Sequence, residues 1–136
     1  MTMAWYFADE ATAYTDAVRD SLVTQRAVVP TLWSLEVANV LVMGERRKRS
    51  TEGQADRWLR LLSALPIAID SEAPFLAFDS TLGLARHHRL TAYDAAYIEL
   101  AVRRSLPIAT LDDDLKKAAL ALGVAMYEPL VGAAAS

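Results

Sequence analysis

The sequence predicts an α/β domain: a short parallel sheet with helices on both faces. Three observations carry that expectation. Short apolar runs rich in Val, Ile and Ala recur along the chain, bounded by proline or glycine. Longer segments between them repeat their apolar residues at helical spacing. The two kinds alternate, and parallel strands need such crossover helices.

Taken in order, the apolar start from Met1 to Phe7 reads as the end of a strand or the turn leaving one. Asp9 and Glu10 then open a helix running to about Gln25, with Ala13, Ala17, Val18 and Leu22 on one face. Ala27, Val28 and Val29 form a buried strand that Pro30 ends. A long helix follows over residues 32–48 and closes in Arg46, Arg47, Lys48 and Arg49, suited to a helix C-terminus. Ser50 and Thr51 start the next helix, over 52–65, which carries Trp58, Leu61, Leu62 and Leu65.

Residues 66–69 are a second strand, 72–88 a helix, 91–104 another helix and 107–110 a third strand. Residues 113–122 are the last helix and 123–127 the last strand, with 129–136 expected as a flexible tail. No repeat or linker interrupts the chain, so its 136 residues read as a single domain over 1–136.

Composition narrows the function. With 54% apolar residues the chain has enough to build a core, and part of that surface is expected to meet another subunit. There is no cysteine, which removes disulfides, zinc–thiolate sites and cysteine nucleophiles. A net charge of −3 does not suit a general nucleic-acid coater, yet clustered active-site acids lower the total without removing local basic patches. No apolar run spans a bilayer and the start lacks a basic signal-peptide region, so a cytoplasmic location is expected.

Three carboxylates stand in strongly apolar segments: Glu36, Asp94 and Asp112. Anions avoid such surroundings unless paired, hydrogen-bonded or bound to a cation. With no evident basic partner, they suggest Mg²⁺ or Mn²⁺, which prefer oxygen ligands. Glu36 shares a helix face with Leu32, Val40 and Met43, unless the helix turns it to the solvent edge. Asn39, one turn on, is placed to orient it. Asp94 follows Thr91 at capping-box spacing, and capping competes with function there. Asp112 is either an N-cap or a ligand, with Thr110 and Asp114 in support. Arg46 and Arg86 are candidate contacts to a phosphate backbone. His87 and His88 lack further ligands at metal spacing.

Together the segments 4–10, 30–39, 90–97 and 109–115, in this order and at these separations, resemble the PIN domain, and more narrowly the VapC-type toxins of bacterial type II toxin–antitoxin systems. The resemblance runs from Thr2 to about Tyr127. It implies a three-layer sandwich with a short parallel sheet between helices, and a Mg²⁺- or Mn²⁺-dependent endoribonuclease leaving a 5′-phosphate and a 3′-hydroxyl. It also implies a homodimer, and a cognate antitoxin whose C-terminal peptide covers the acidic groove. By position, Glu36, Asp94 and Asp112 match three of the family's acidic catalytic and metal-binding residues.

One departure accompanies the match. The family opens with a strand ending in a further Asp ligand, and this sequence begins after that point. The first strand is therefore expected to be truncated, through a misassigned start or omitted residues, or truly lost. The alternative to a nuclease is a catalytically impaired PIN-like module that binds antitoxin or RNA without cleaving. A third class, a Mg²⁺-dependent phosphatase or receiver-like domain, normally needs an Asp after the first strand, which the sequence also lacks.

Overall fold

The structure, a computed structural model, describes residues 1–129. The tail expected over 129–136 lies, from residue 130 onward, outside the described residues. Within them the chain forms two compact units, one of residues 1–28 and 32–68, the other of 29–31 and 69–129.

The first unit opens with two 3₁₀ turns, Thr2–Trp5 and Ala8–Glu10, in place of the expected strand end. Helix α1, Ala13–Ser21, starts later than Asp9 because Thr12 caps it. Thr15 N–H donates to the Thr12 hydroxyl at 3.1 Å, and Thr12 N–H to the Thr15 hydroxyl at 2.8 Å. Helices α2, Leu32–Arg46, and α3, Glu52–Ser63, follow, the latter closed by a capping box between Thr51 and Gln54. Val37 and Leu41 of α2 and Ala55 and Leu62 of α3 form the core, against Trp5, Tyr6, Trp33 and Trp58. Two indoles are tied by their N–H groups, Trp5 to the Thr15 carbonyl at 2.8 Å and Trp33 to the Thr2 hydroxyl at 3.0 Å.

Strands β1, Ala27–Pro30, and β2, Ile67–Asp70, pair in parallel as a two-stranded sheet. Helices α2 and α3 make the crossover between them, as a parallel connection requires.

In the second unit the single helix expected over 72–88 is broken. A 3₁₀ turn, Ala73–Leu76, gives way to a π turn, Ala77–Thr81, and only then to α4, Leu82–His88. Pro74 sits in the first turn of the 3₁₀ segment, where its missing N–H costs nothing. Helices α5, Ala92–Arg104, and α6, Asp113–Leu122, match expectation closely. Ala95 and Ile98 of α5 and Ala119 of α6 are fully buried, and with Ala101, Leu115 and Ala118 they form this unit's core.

The third and fourth strands are corrected. Among the described residues, 107–110 and 123–127 meet in one parallel bridge between Ile108 and Met126. Two hydrogen bonds make it: Ile108 N–H to the Ala125 carbonyl at 3.0 Å, and Tyr127 N–H to the Ile108 carbonyl at 2.8 Å. The overall class stands as mixed α/β, with six α-helices and a short parallel sheet among the described residues. No helix among them is long and apolar enough to cross a membrane.

Candidate active site

Asp94 lies in the first turn of α5. Thr91 caps that helix, its hydroxyl accepting from Asp94 N–H at 3.1 Å. The packing of Ala95 and Ile98 fixes the helix in the core, and Asp94 is left half-buried beside it. Burial raises the Asp94 pKa above the ordinary aspartate value, the neighbouring Asp112 carboxylate raises it further, and Asp114 adds to the effect. A side-chain hydrogen bond between Thr91 and the Asp94 carboxyl opposes the rise. Burial and neighbouring carboxylates are thus what raise it.

Asp112 is the N-cap of α6. Its Oδ1 accepts from Leu115 N–H at 2.9 Å, and its own N–H donates to the Thr110 hydroxyl at 3.1 Å. Thr110 is buried, so it positions the Asp112 backbone from below while the carboxylate faces outward. Capping and proximity to Asp94 therefore coexist at Asp112: one oxygen holds the helix, and the charge still acts on Asp94. Asp114, exposed in the first turn of α6, completes the group.

Glu36 belongs to the first unit, where it is exposed on α2. Its expected place on an apolar stripe is corrected. The buried face of α2 is Val37, Leu41 and Gly44, one residue out of phase with the stripe through Leu32, Val40 and Met43, which are only half-buried. Glu36 thus stands at the solvent edge of that helix. It acts on the buried Met1 ammonium, whose pKa is lowered by that burial while Glu10 and Glu36 oppose the fall. Asn39 and Arg46 are exposed on α2, and Arg86 is exposed on α4 of the second unit.

The structure therefore gathers Asp94, Thr110, Asp112 and Asp114 within one unit and places Glu36, Asn39 and Arg46 in the other. Among the described residues, no group of three or more His, Cys, Asp or Glu is arranged to hold a metal ion. The donor chemistry nevertheless suits a hard cation: carboxylate oxygens at the starts of two helices. Mg²⁺ typically keeps several waters and takes only one or two carboxylates from the protein.

Sequence reasoning missed the most saturated polar cluster. Arg103 of α5 spends all five of its N–H donors on three carboxylates. It bonds Asp70 at 2.7 and 3.2 Å, Glu99 at 2.6 and 3.1 Å, and Glu72 at 3.0 Å. Asp70 also accepts from Ala73 N–H at 3.0 Å. The Arg103 guanidinium holds the Asp70 pKa below its usual range, and the Glu99 and Asp70 carboxylates raise that of Arg103. The readable signals were the four-residue spacing of Glu99 and Arg103 on one helix and the acid ending the second apolar strand.

The PIN domain family matches residues 3–120, which covers most of both units and every candidate residue. The chain belongs to the PIN domain family. No curated protein matches it. PIN domains are generally nucleases, generally use divalent metals, and often bind RNA and protein partners. In this PIN domain the Asp112 and Asp114 carboxylates act on Asp94 within one unit.

Proposed function

We propose that this PIN domain is a metal-dependent endoribonuclease and the toxin of a toxin–antitoxin pair, similar to the VapC-type toxins. The observation that carries the reading is the placement of Asp94 and Asp112 at the starts of two helices of one unit, where the Asp112 and Asp114 carboxylates add to the burial that raises the Asp94 pKa. A structural N-cap needs one acid, not three in a common field.

Asp94 and Asp112 would hold a Mg²⁺ or Mn²⁺ ion, with Asp114 contributing, and Glu36 is the candidate ligand of the first unit. Such an ion, when bound, supplies an acidified water and a clamp for the scissile phosphate. The chain's own residues do the rest. Thr91 fixes the first turn of α5 and so the root of Asp94. Thr110 fixes the backbone of Asp112, leaving its carboxylate to serve cap and ligand together. Asn39 orients Glu36, and Arg46 and Arg86 hold the RNA backbone. Single-stranded or looped RNA is the substrate, because its backbone is accessible.

Exposed large apolar side chains, among them Val23, Phe75, Phe78 and Leu120, support protein partners: a second copy of the chain and a cognate antitoxin with its C-terminal peptide over the acids. The setting is the bacterial cytoplasm. A second reading, an impaired module that binds without cleaving, is favoured by one observation. Asp112 Oδ1 is already engaged by Leu115 N–H.

The test is cleavage of a labelled RNA by the purified chain with Mg²⁺ or with EDTA, repeated with Asp94→Asn. The proposal expects metal-dependent products with 5′-phosphate ends that the variant fails to make. Equal cleavage by both proteins in EDTA contradicts it, and binding without any cleavage selects the impaired module.

A further inference from the structure

The turn leaving α2 carries a charge arrangement that the acidic site does not use. Residues 45–60 hold six basic and three acidic side chains in a chain whose net charge is −3. Arg46, Arg47 and Lys48 are consecutive and exposed, and among the described residues none of them forms an ion pair. The polar contact Arg46 makes is with Met43, Nη1 to Sδ at 3.8 Å.

The fourth basic residue behaves differently and fixes the other three. Arg49 reaches both oxygens of Asp9 at 3.1 Å and Glu10 at 3.2 Å, and its guanidinium lies 3.9 Å from the Phe7 ring centre. Its N–H donates to the Gly44 carbonyl at 2.8 Å, and Lys48 N–H donates to the Glu45 carbonyl at 3.0 Å. These two bonds close a Schellman turn with Lys48 at the left-handed position, φ 59°. Glycine fits that position without strain; a lysine there costs stability. Arg89 and Ser105 share the conformation, so it marks nothing alone. Joined to three unpaired cations on a clamped turn, it identifies a preorganised basic edge instead of a loose solvated helix end.

We infer that Arg46, Arg47 and Lys48 form a phosphate-binding edge that engages single-stranded RNA without any divalent ion, held in shape by the Arg49 clamp on Asp9, Glu10 and Phe7. The inference rests on the RNA reading above and deepens it. RNA is preferred to an acidic peptide because this chain is a PIN domain, a family that often binds RNA. Three neutralised phosphates correspond to a slope of about −2 in log K against log salt for a single strand.

The test is fluorescence anisotropy of a labelled mixed-sequence RNA oligonucleotide against the full chain in EDTA, over a KCl series. The Arg46→Gln/Arg47→Gln/Lys48→Gln variant should lose about 2 units of salt slope and bind roughly 100-fold more weakly near 0.1 M KCl. Arg46→Lys/Arg47→Lys should keep the slope, since only charge is required. Lys48→Gly should lose about 0.7 unit of slope while raising Tm, a pairing that a purely structural role does not produce. A triple variant that binds RNA with wild-type affinity and slope overturns the edge and leaves the nuclease reading intact. Wild-type chain that cleaves RNA yet shows no EDTA binding also overturns it. Equal binding of a poly-glutamate of matched charge overturns the assignment to RNA. Wild-type chain that neither binds nor cleaves RNA sinks both proposals together.

Discussion

Asp112 acts on Asp94: after burial, it is the Asp112 carboxylate that most raises the Asp94 pKa. Each residue stands at the start of its own helix, so the two are fixed by helices α5 and α6 and not by flexible loops. A protein that places acids together sacrifices stability, as active sites commonly do.

The sign of that sacrifice can be measured. A raised carboxyl pKa means the folded chain binds its proton more tightly than the unfolded chain. Stability therefore falls as pH rises from the ordinary aspartate range through the raised Asp94 value. Asp94→Asn removes the charge but keeps the backbone N–H bonded to Thr91. Its Tm should exceed that of the wild type at pH 7 and match it near pH 3. A lower Tm for the variant at pH 7 contradicts the shared field.

Asp112 separates into two roles by substitution. Asp112→Asn retains an oxygen for Leu115 N–H, so helix stability should hardly change. Asp112→Ala deletes the cap and should cost about 0.5–2 kcal/mol. Both should lose metal-dependent cleavage. Full activity in Asp112→Asn alongside loss of stability in Asp112→Ala would reduce Asp112 to a cap; denaturant melts and RNA cleavage on the same preparations decide it.

Arg103 is the residue on which the second unit's buried charges depend. Asp70 and Glu99 are 6% and 3% exposed, and each pairs with its guanidinium. Arg103→Met should therefore cost about 3–5 kcal/mol, the usual result of stranding buried carboxylates. Arg103→Lys cannot reproduce two forked pairs and should recover only part of the loss. The Asp70 pKa is held low, so its contribution is present at neutral pH and fades as pH drops below the ordinary aspartate range. Urea titrations of both variants at neutral and acidic pH check these outcomes.

The two glycines of the α2–α3 region predict opposite responses. A Cβ on Gly44 would sit 3.1 Å from Phe7 Cζ and 3.4 Å from Ser50 Oγ. Phe7 is buried under the Arg49 guanidinium and cannot give way, so Gly44→Ala should cost about 1–2 kcal/mol despite better helix propensity. On Gly53 the same Cβ meets only the Arg57 guanidinium at 3.6 Å, and Gly53→Ala should stabilise by up to about 1 kcal/mol. Thermal melts of the two variants provide the comparison.

How legible the molecule was depended on whether the cue was local. Helices α3, α5 and α6 were readable because Thr51, Thr91 and Asp112 announce their starts, and their apolar residues recur at helical spacing. The break at 73–81 was not, because Pro74 suits the first turn of an α-helix as well as that of a 3₁₀ segment and so does not mark the change of helix type. The strands at 107–110 and 123–127 had the right composition, but ladder length is set by the partner and only one bridge forms. At the site, Asp94 and Asp112 were readable as acids in apolar segments. The phase of α2 was not: a one-residue rotation moves Glu36 from stripe to solvent. The Arg103 cluster joins residues 33 apart in sequence, beyond any local pattern.

Titration of Mn²⁺ into the purified chain, with free ion followed by electron paramagnetic resonance, tests the central claim most directly. Wild-type chain should bind Mn²⁺ saturably, and Asp94→Asn and Asp112→Asn should each weaken that binding at least tenfold with the fold intact. Binding that is absent in the wild type, or unchanged in both variants, contradicts a metal held by these two acids.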